Sequence, residues 1–154
     1  IVDCDGQQNS SRFFAESIGH KGLEKILTDE NTQPNEIVAK SRYEHIDILT
    51  STSEMNLCST YFETLSNEKK SQNMEKLTRF WNDKYDYVLL DLPPALNTLS
   101  EALISITDGV IVPVELGSFA IQGIAKVTET INKVGAVFIG CFISKFDKKN
   151  TADF

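Results

Sequence analysis

Residues 85–94 read YDYVLLDLPP, and the order of residue types in this stretch decides the fold. Tyr87 to Leu90 are β-formers in an unbroken apolar run, and Asp91 ends that run in a carboxylate. Pro93 and Pro94 lack amide hydrogens, so no strand continues through them. The expected element is a buried strand with an acid at its carboxyl end. In open α/β sheets this edge binds ligands, because the loops leaving the strand tips surround a crevice. Residues 1–8, IVDCDGQQ, repeat the arrangement: an apolar tail, then Asp3 and Asp5, then a polar turn containing Gly6. Two strands thereby bring three carboxylates toward one rim.

Outward from these stretches, apolar runs of strand length alternate with segments of helical spacing. Residues 46–49 (IDIL), 109–114 (GVIVPV, read as buried) and 136–143 (AVFIGCFI) are further strands. Residues 3–12 form a polar loop. Helices are expected over 22–28, over 35–40 with Asn35 as cap, over 53–65 and over 71–81 with Met74, Leu77, Phe80 and Trp81 on one face. Two more follow, over 98–106 with Leu99, Leu103 and Ile106 inward, and over 118–133. The charged residues 66–72 read as a solvated linker. This alternation predicts an α/β fold: a mostly parallel sheet with right-handed crossovers and helices on both faces. At 154 residues and 41% hydrophobic content the chain is sized for one domain with one core. It begins inside a strand and without an initiator Met, as a piece of something longer would.

Composition narrows the function. Fifteen basic residues against 22 acidic ones give a net charge of −7, which argues against nonspecific nucleic-acid affinity in this segment. Lys145, Lys148 and Lys149 form a small basic cluster, read as solvated surface. Cys4, Cys58 and Cys141 form no CxxC pair and read as reduced thiols of a cytosolic protein. His20 and His45 lack metal-ligand spacing. No apolar run reaches membrane-spanning length.

Residues 86–123, DYVLLDLPPALNTLSEALISITDGVIVPVELGSFAIQG, resemble the Walker B strand and following unit of the ParA/MinD superfamily of deviant Walker A ATPases. The ParA/Soj partition branch is the nearest in pattern. IVDCDGQQNSS resembles that branch's strand and loop of two aspartates flanking one residue, followed by Pro, Gln, Gly and Asn. GLEKIL, the expected helix near Glu36 to Lys40 and HIDILTSTSEMN resemble its intervening helix and strand, so the likeness covers nearly the whole chain.

The resemblance implies an incomplete P-loop NTPase-like domain over residues 1–154 and a dimer switch in which ATP and Mg2+ lie between two protomers. On the family pattern Asp5 positions and activates the attacking water, and Asp91 holds magnesium, usually through water. Asp3 falls nearer the metal and the loop framework, and Gln7 and Asn9 match a loop that touches phosphate or the partner protomer. Phosphoryl transfer suits such a site, because it needs charge placement around metal and phosphate more than covalent chemistry. The implied partners are a second copy, a ParB-like centromere-binding adaptor, and DNA bound through parts outside this segment, with no membrane. By themselves Asp91 also fits a strand-ending turn acceptor and Asp5 an ordinary loop acid. Pro113, Ala120 and Gly123 match the family as well, but read as a strand-ending proline and small residues that permit close helix packing.

Departures from the pattern bear on function. The family's glycine-rich phosphate loop would precede Ile1, and its strand is central, so two neighbouring strands are expected to show open edges. Gly6 replaces the usual proline and Gln8 the usual glycine, which loosens the turn that carries Asp5. The other readings are a non-hydrolysing scaffold, a MinD-like membrane switch, which would need a terminal amphipathic helix, and a capsule-type tyrosine kinase, which would need a tyrosine-rich tail.

Overall fold

A computed structural model describes residues 1–115 and 120–144. The chain divides into two compact units, one over Ile1–Leu103 and one from Ile104 onward. In the first, β1 (Val2–Asp3), β2 (Val38–Lys40), β3 (Asp47–Leu49) and β4 (Leu90–Asp91) form one sheet in the order β2-β3-β1-β4. β1 runs parallel to β3, with Val2 opposite Leu49, and parallel to β4, with Val2 opposite Leu90 and Asp3 opposite Asp91. β2 is antiparallel to β3. The α/β fold with mostly parallel strands is therefore as expected, with one antiparallel strand at an edge.

The helices of this unit are α1 (Asn9–Phe14), α2 (Leu23–Thr28), α3 (Met55–Thr64), α4 (Asn67–Asn82) and all but the last two residues of α5 (Thr98–Ser105). Leu23, Ile26 and Leu27 of α2 are buried, as are Met55, Cys58 and Phe62 of α3, and α2 packs on α3. Met74, Leu77 and Trp81 line the buried face of α4. Fully burying each such side chain stabilises the fold by roughly 1.5–3 kcal/mol. Among the described residues, every buried side-chain nitrogen or oxygen has a hydrogen-bond partner.

Four local expectations differ from the structure. Residues 35–40 are not a helix: Pro34–Glu36 form one 3-10 turn, with a reciprocal cap between Gln33 and Glu36, and the chain then enters β2. Pairing with β3 satisfies the main chain of Val38 to Lys40, which overrides the weak local cap. Residues 66–72 are not a linker, because Ser66 Oγ accepts from the Lys69 amide and starts α4 at Asn67. The polar loop ends early, at α1. Finally, the stretch leading into β4 is not buried, with Tyr87 88% and Leu89 64% exposed. Its main chain is engaged on the β1 side, where Val2 N donates to Leu89 O at 2.8 Å and Cys4 N to Asp91 O at 2.9 Å. No element of the same unit covers those two side chains.

The second unit contains α6 (Ala120–Val134) and the parallel pair β5 (Val110–Glu115) and β6 (Phe138–Ser144). Exposure alternates along β5, and Ile111, Phe138, Ile139, Phe142 and Ile143 are all exposed within the described residues, so β5 is not the buried strand expected. Pro113 lies inside β5 opposite Phe142 instead of ending it. Gly123 has no described neighbour within 4 Å of where a Cβ would lie. Lys145, Lys148 and Lys149 lie outside the described residues. Among the described residues, no helix is long and apolar enough to cross a membrane.

Candidate functional site

β1 and β4 end side by side, and the ladder that places Asp3 opposite Asp91 puts both acids at the same sheet edge. Asp3 is fully buried. Its Oδ2 accepts from the Ser11 amide at 2.7 Å and from Ser11 Oγ at 2.6 Å, and its Oδ1 accepts from the Asp5 amide at 3.1 Å. These bonds supply the acceptor that the first turn of α1 would otherwise lack, since Gln8, at its start, makes no side-chain cap. Asp3 thus holds the loop between β1 and α1 in shape.

Asp5 follows on that loop, half-buried. Its Oδ1 accepts from the Gln7 amide at 3.0 Å, an Asx turn, and its carbonyl accepts from the Gln8 amide at 3.0 Å. Gln8 sits at φ 61°, ψ 27°, the left-handed conformation that glycine adopts without strain. The backbone here therefore keeps the form expected of glycine although the residue is glutamine. Gly6 is backed by Asn56, whose Oδ1 would lie 2.9 Å from a Cβ at that position. Gln7, on the loop, and Asn9, the first residue of α1, are exposed.

Asp91 is exposed at the tip of β4. Ser10 Oγ donates to its Oδ2 at 2.5 Å, which ties α1 to β4 just as Ser11 ties it to β1. The structure thus brings Asp3, Asp5, Asp91, Gln7 and Asn9 to one sheet edge and its first loop. The ion pairs Lys25–Glu54, Lys69–Glu30 and Arg79–Glu75 involve none of the three aspartates.

Sequence reasoning assigned no role to Ser10, Ser11, Ser51 or Glu24. Ser51 Oγ donates to Asp5 O at 2.6 Å, and the Ser51 amide donates to Ser11 Oγ at 3.0 Å. Glu24, buried, accepts from the Gly22 amide, the Thr52 amide and Thr52 Oγ1. The hydroxyl-rich STS after β3 was the available signal: a strand exit crowded with short donors facing a loop that needs them.

Cys4, between the aspartates, is buried, and its thiol is pushed well above the ordinary value first by burial and then by the charges of Asp3, Asp91 and Asp5. It is an inert thiol. Among the described residues, no three His, Cys, Asp or Glu side chains converge into a ready cation cage. Magnesium keeps several waters and commonly takes one or two carboxylates together with phosphate oxygens, and Asp91 is an exposed carboxylate at this edge.

A family model described as an AAA domain, AAA_31, matches residues 1–138. The chain belongs to this family. Among curated relatives of the AAA_31 chain, a "ParA family protein" of Mycoplasma pneumoniae is 28% identical over 143 residues, covering 86% of this chain and 52% of its own length. The chain thus spans about half the length of that relative. The likeness to ParA-type partition ATPases expected from the two motifs is borne out. Two solved structures share the fold. A cobyrinic acid a,c-diamide synthase from Mycobacterium smegmatis, with bound ATP analog and magnesium, superposes at a TM-score of 0.84 with 18% identity, over 97% of this chain and 63% of that one. A plasmid partition protein from Borrelia burgdorferi gives 0.81 with 19% identity, over 99% and 68%.

Proposed function

We propose that this AAA_31 chain is the body of a ParA-type ATPase, an ATP-dependent dimer switch that acts in the partition of chromosomes, plasmids or mobile elements. The observation that carries the reading is the β1–β4 ladder, which sets the Asp5 loop beside Asp91 at one sheet edge. Two aspartates there, with no cationic side chain paired to them among the described residues, suit a divalent cation and the phosphates it accompanies. Bound magnesium would neutralise charge on the transferring phosphoryl group.

In this reading Asp91 holds the metal, usually through water. Asp5 orients and activates the attacking water, and Asp3 serves chiefly by fixing the loop that carries Asp5. Gln7, exposed on that loop, and Asn9, exposed at the start of α1, contact phosphate or the second protomer. The glycine-rich cradle for the phosphates comes from residues outside this sequence, as do the DNA contacts. The partners are a second copy of the protein and a ParB-like adaptor, and the setting is the bacterial cytoplasm and nucleoid.

The test is ATP turnover by the protein as its gene encodes it. Asp5→Ala is expected to lower kcat by two orders of magnitude or more, with nucleotide still bound. Asp91→Ala is expected to abolish the magnesium dependence. Unchanged turnover in Asp5→Ala would remove the catalytic assignment, and a protein that binds ATP without turning it over would be a scaffold.

A further inference from the structure

Glu24 is 2% exposed, and its carboxylate accepts three hydrogen bonds, none of them from a cation. We infer that Glu24 is a positioning residue for Asp5, acting through Thr52 and Ser51 on the loop that orients the attacking water. The inference deepens the ATPase reading above and rests on it.

Three observations carry it. The carboxylate joins two segments: Oε1 accepts from the Gly22 amide at 2.9 Å and from Thr52 Oγ1 at 2.8 Å, and Oε2 accepts from the Thr52 amide at 3.2 Å. The start of α2 and the exit of β3 are thereby held at one point. Thr52 Oγ1 in turn accepts from the Glu54 amide at 3.2 Å, so the same hydroxyl fixes the approach to α3. Next in the chain, buried Ser51 is bonded toward the site, its hydroxyl to the Asp5 carbonyl and its amide to Ser11 Oγ. A single peptide bond thus separates the grip on Glu24 from the grip on the Asp5 loop. Lastly, that loop has little stiffness of its own, since Gly6 lacks the fixed φ of a proline and Gln7 is exposed.

The chemistry of the floor is directional. A carboxylate only accepts, and here it meets three donors; a glutamine of nearly the same shape would turn its NH2 toward at least one of them. Glu24→Gln therefore releases Thr52 with little change of volume. A displacement of the Asp5 loop passes to the water and not to the nucleotide, so it appears in kcat and not in KM. A carboxylate serving only to hold α2 against β3 would change the melting temperature and leave kcat of the folded enzyme alone.

The experiment measures ATP turnover by the protein as its gene encodes it, well below the melting temperature of each variant. Glu24→Gln and Thr52→Val are each expected to lower kcat on the order of tenfold with KM for ATP unchanged, while Thr52→Ser, which keeps the hydroxyl, turns over like the wild type. Should Glu24→Gln fail to fold, Thr52→Val, of the same shape as threonine, decides the matter. In an Asp5→Ala background Glu24→Gln is expected to cost nothing more, because the group it positions is gone. Wild-type kcat in the folded variants, or the same fractional loss with and without Asp5, overturns the inference. If Asp5→Ala lowers kcat while Glu24→Gln and Thr52→Val do not, the ATPase reading stands and only the role of Glu24 falls. If Asp5→Ala turns over as the wild type does, both fall.

Discussion

Ser51 Oγ donates a 2.6 Å hydrogen bond to the main-chain carbonyl of Asp5, 46 residues away. The Ser51 amide meets Ser11 Oγ, which meets Asp3, so the exit of β3 grips the loop after β1 at two points. Behind Ser51, Glu24 binds both the amide and the hydroxyl of Thr52. The main chain of Asp5 is placed by a neighbouring strand as much as by its own turn. Gly6, more flexible than the proline of the family pattern, is offset by these contacts.

Ser51→Ala removes that grip. Losing a buried hydroxyl and leaving the Asp5 carbonyl without it is expected to destabilise the fold by about 1–2 kcal/mol, read from urea unfolding. In the whole protein kcat should fall on the order of tenfold with KM nearly unchanged, since a small displacement of Asp5 acts on the water and not on nucleotide binding. A stability loss without a change in kcat would make Ser51 structural support alone.

Gly22→Ala should be costly for a steric reason. A Cβ there would lie 2.6 Å from Glu24 Oε2 and 2.7 Å from the main-chain Cα of Ser51. The second contact cannot be relieved by turning a side chain. Overpacking of this kind costs about 1–3 kcal/mol, more than the roughly 0.4–1 kcal/mol gained by stiffening the unfolded chain. The melting temperature should drop, and Glu24→Ala in the same chain should deepen the loss, because it strands the Gly22 and Thr52 donors and leaves the Ser51 contact in place.

Gln8→Gly is expected to stabilise. At φ 61° a residue with a Cβ is held at a cost of about 1–2 kcal/mol, while glycine adds back roughly 0.5–1 kcal/mol of unfolded-state entropy. A gain of about 0.5 kcal/mol should appear as a higher denaturant midpoint at constant slope. Gln8→Val, β-branched at the same φ, should move the midpoint the other way.

Two buried thiols predict the alkaline limit. Cys4 is raised well above 9.0, by burial first, and Cys58 to about 12, also by burial and then by Glu24. In both, the folded pKa exceeds the unfolded one, so the stability they leave intact below about pH 9 is lost as pH climbs from there toward the folded values. Unfolding midpoints measured from pH 8 to 11 should fall above 9, with a shallower slope in Cys58→Ala. At pH 8 a thiol reagent should reach Cys4 and Cys58 only after unfolding.

Much of the fold was legible where the signal was local. The run into Asp91, the breakers at Pro93 and Pro94, and the spacing of Leu23, Ile26 and Leu27 are read within one or two turns of chain, and the structure places β4 and α2 there. α1 was missed because its first turn is satisfied by Asp3 across the loop and by no cap of its own. Residues 38–40 were misread because the partner that makes them a strand, β3, begins seven residues after β2 ends. Ser66 was a readable cap, passed over because the charged residues behind it resemble a linker.

By itself the sequence determined the class of the chain and the identity of its acids, because strand formers, chain breakers and terminal carboxylates act on their immediate neighbours. The tertiary structure alone decided which oxygen of each acid is engaged and by what: Asp3 by Ser11, Asp91 by Ser10, and the Asp5 main chain by Ser51. Two of these hydrogen bonds close loops of 46 and 81 residues, and such pairings exist only once the strands have set their register. No window of sequence contains both partners.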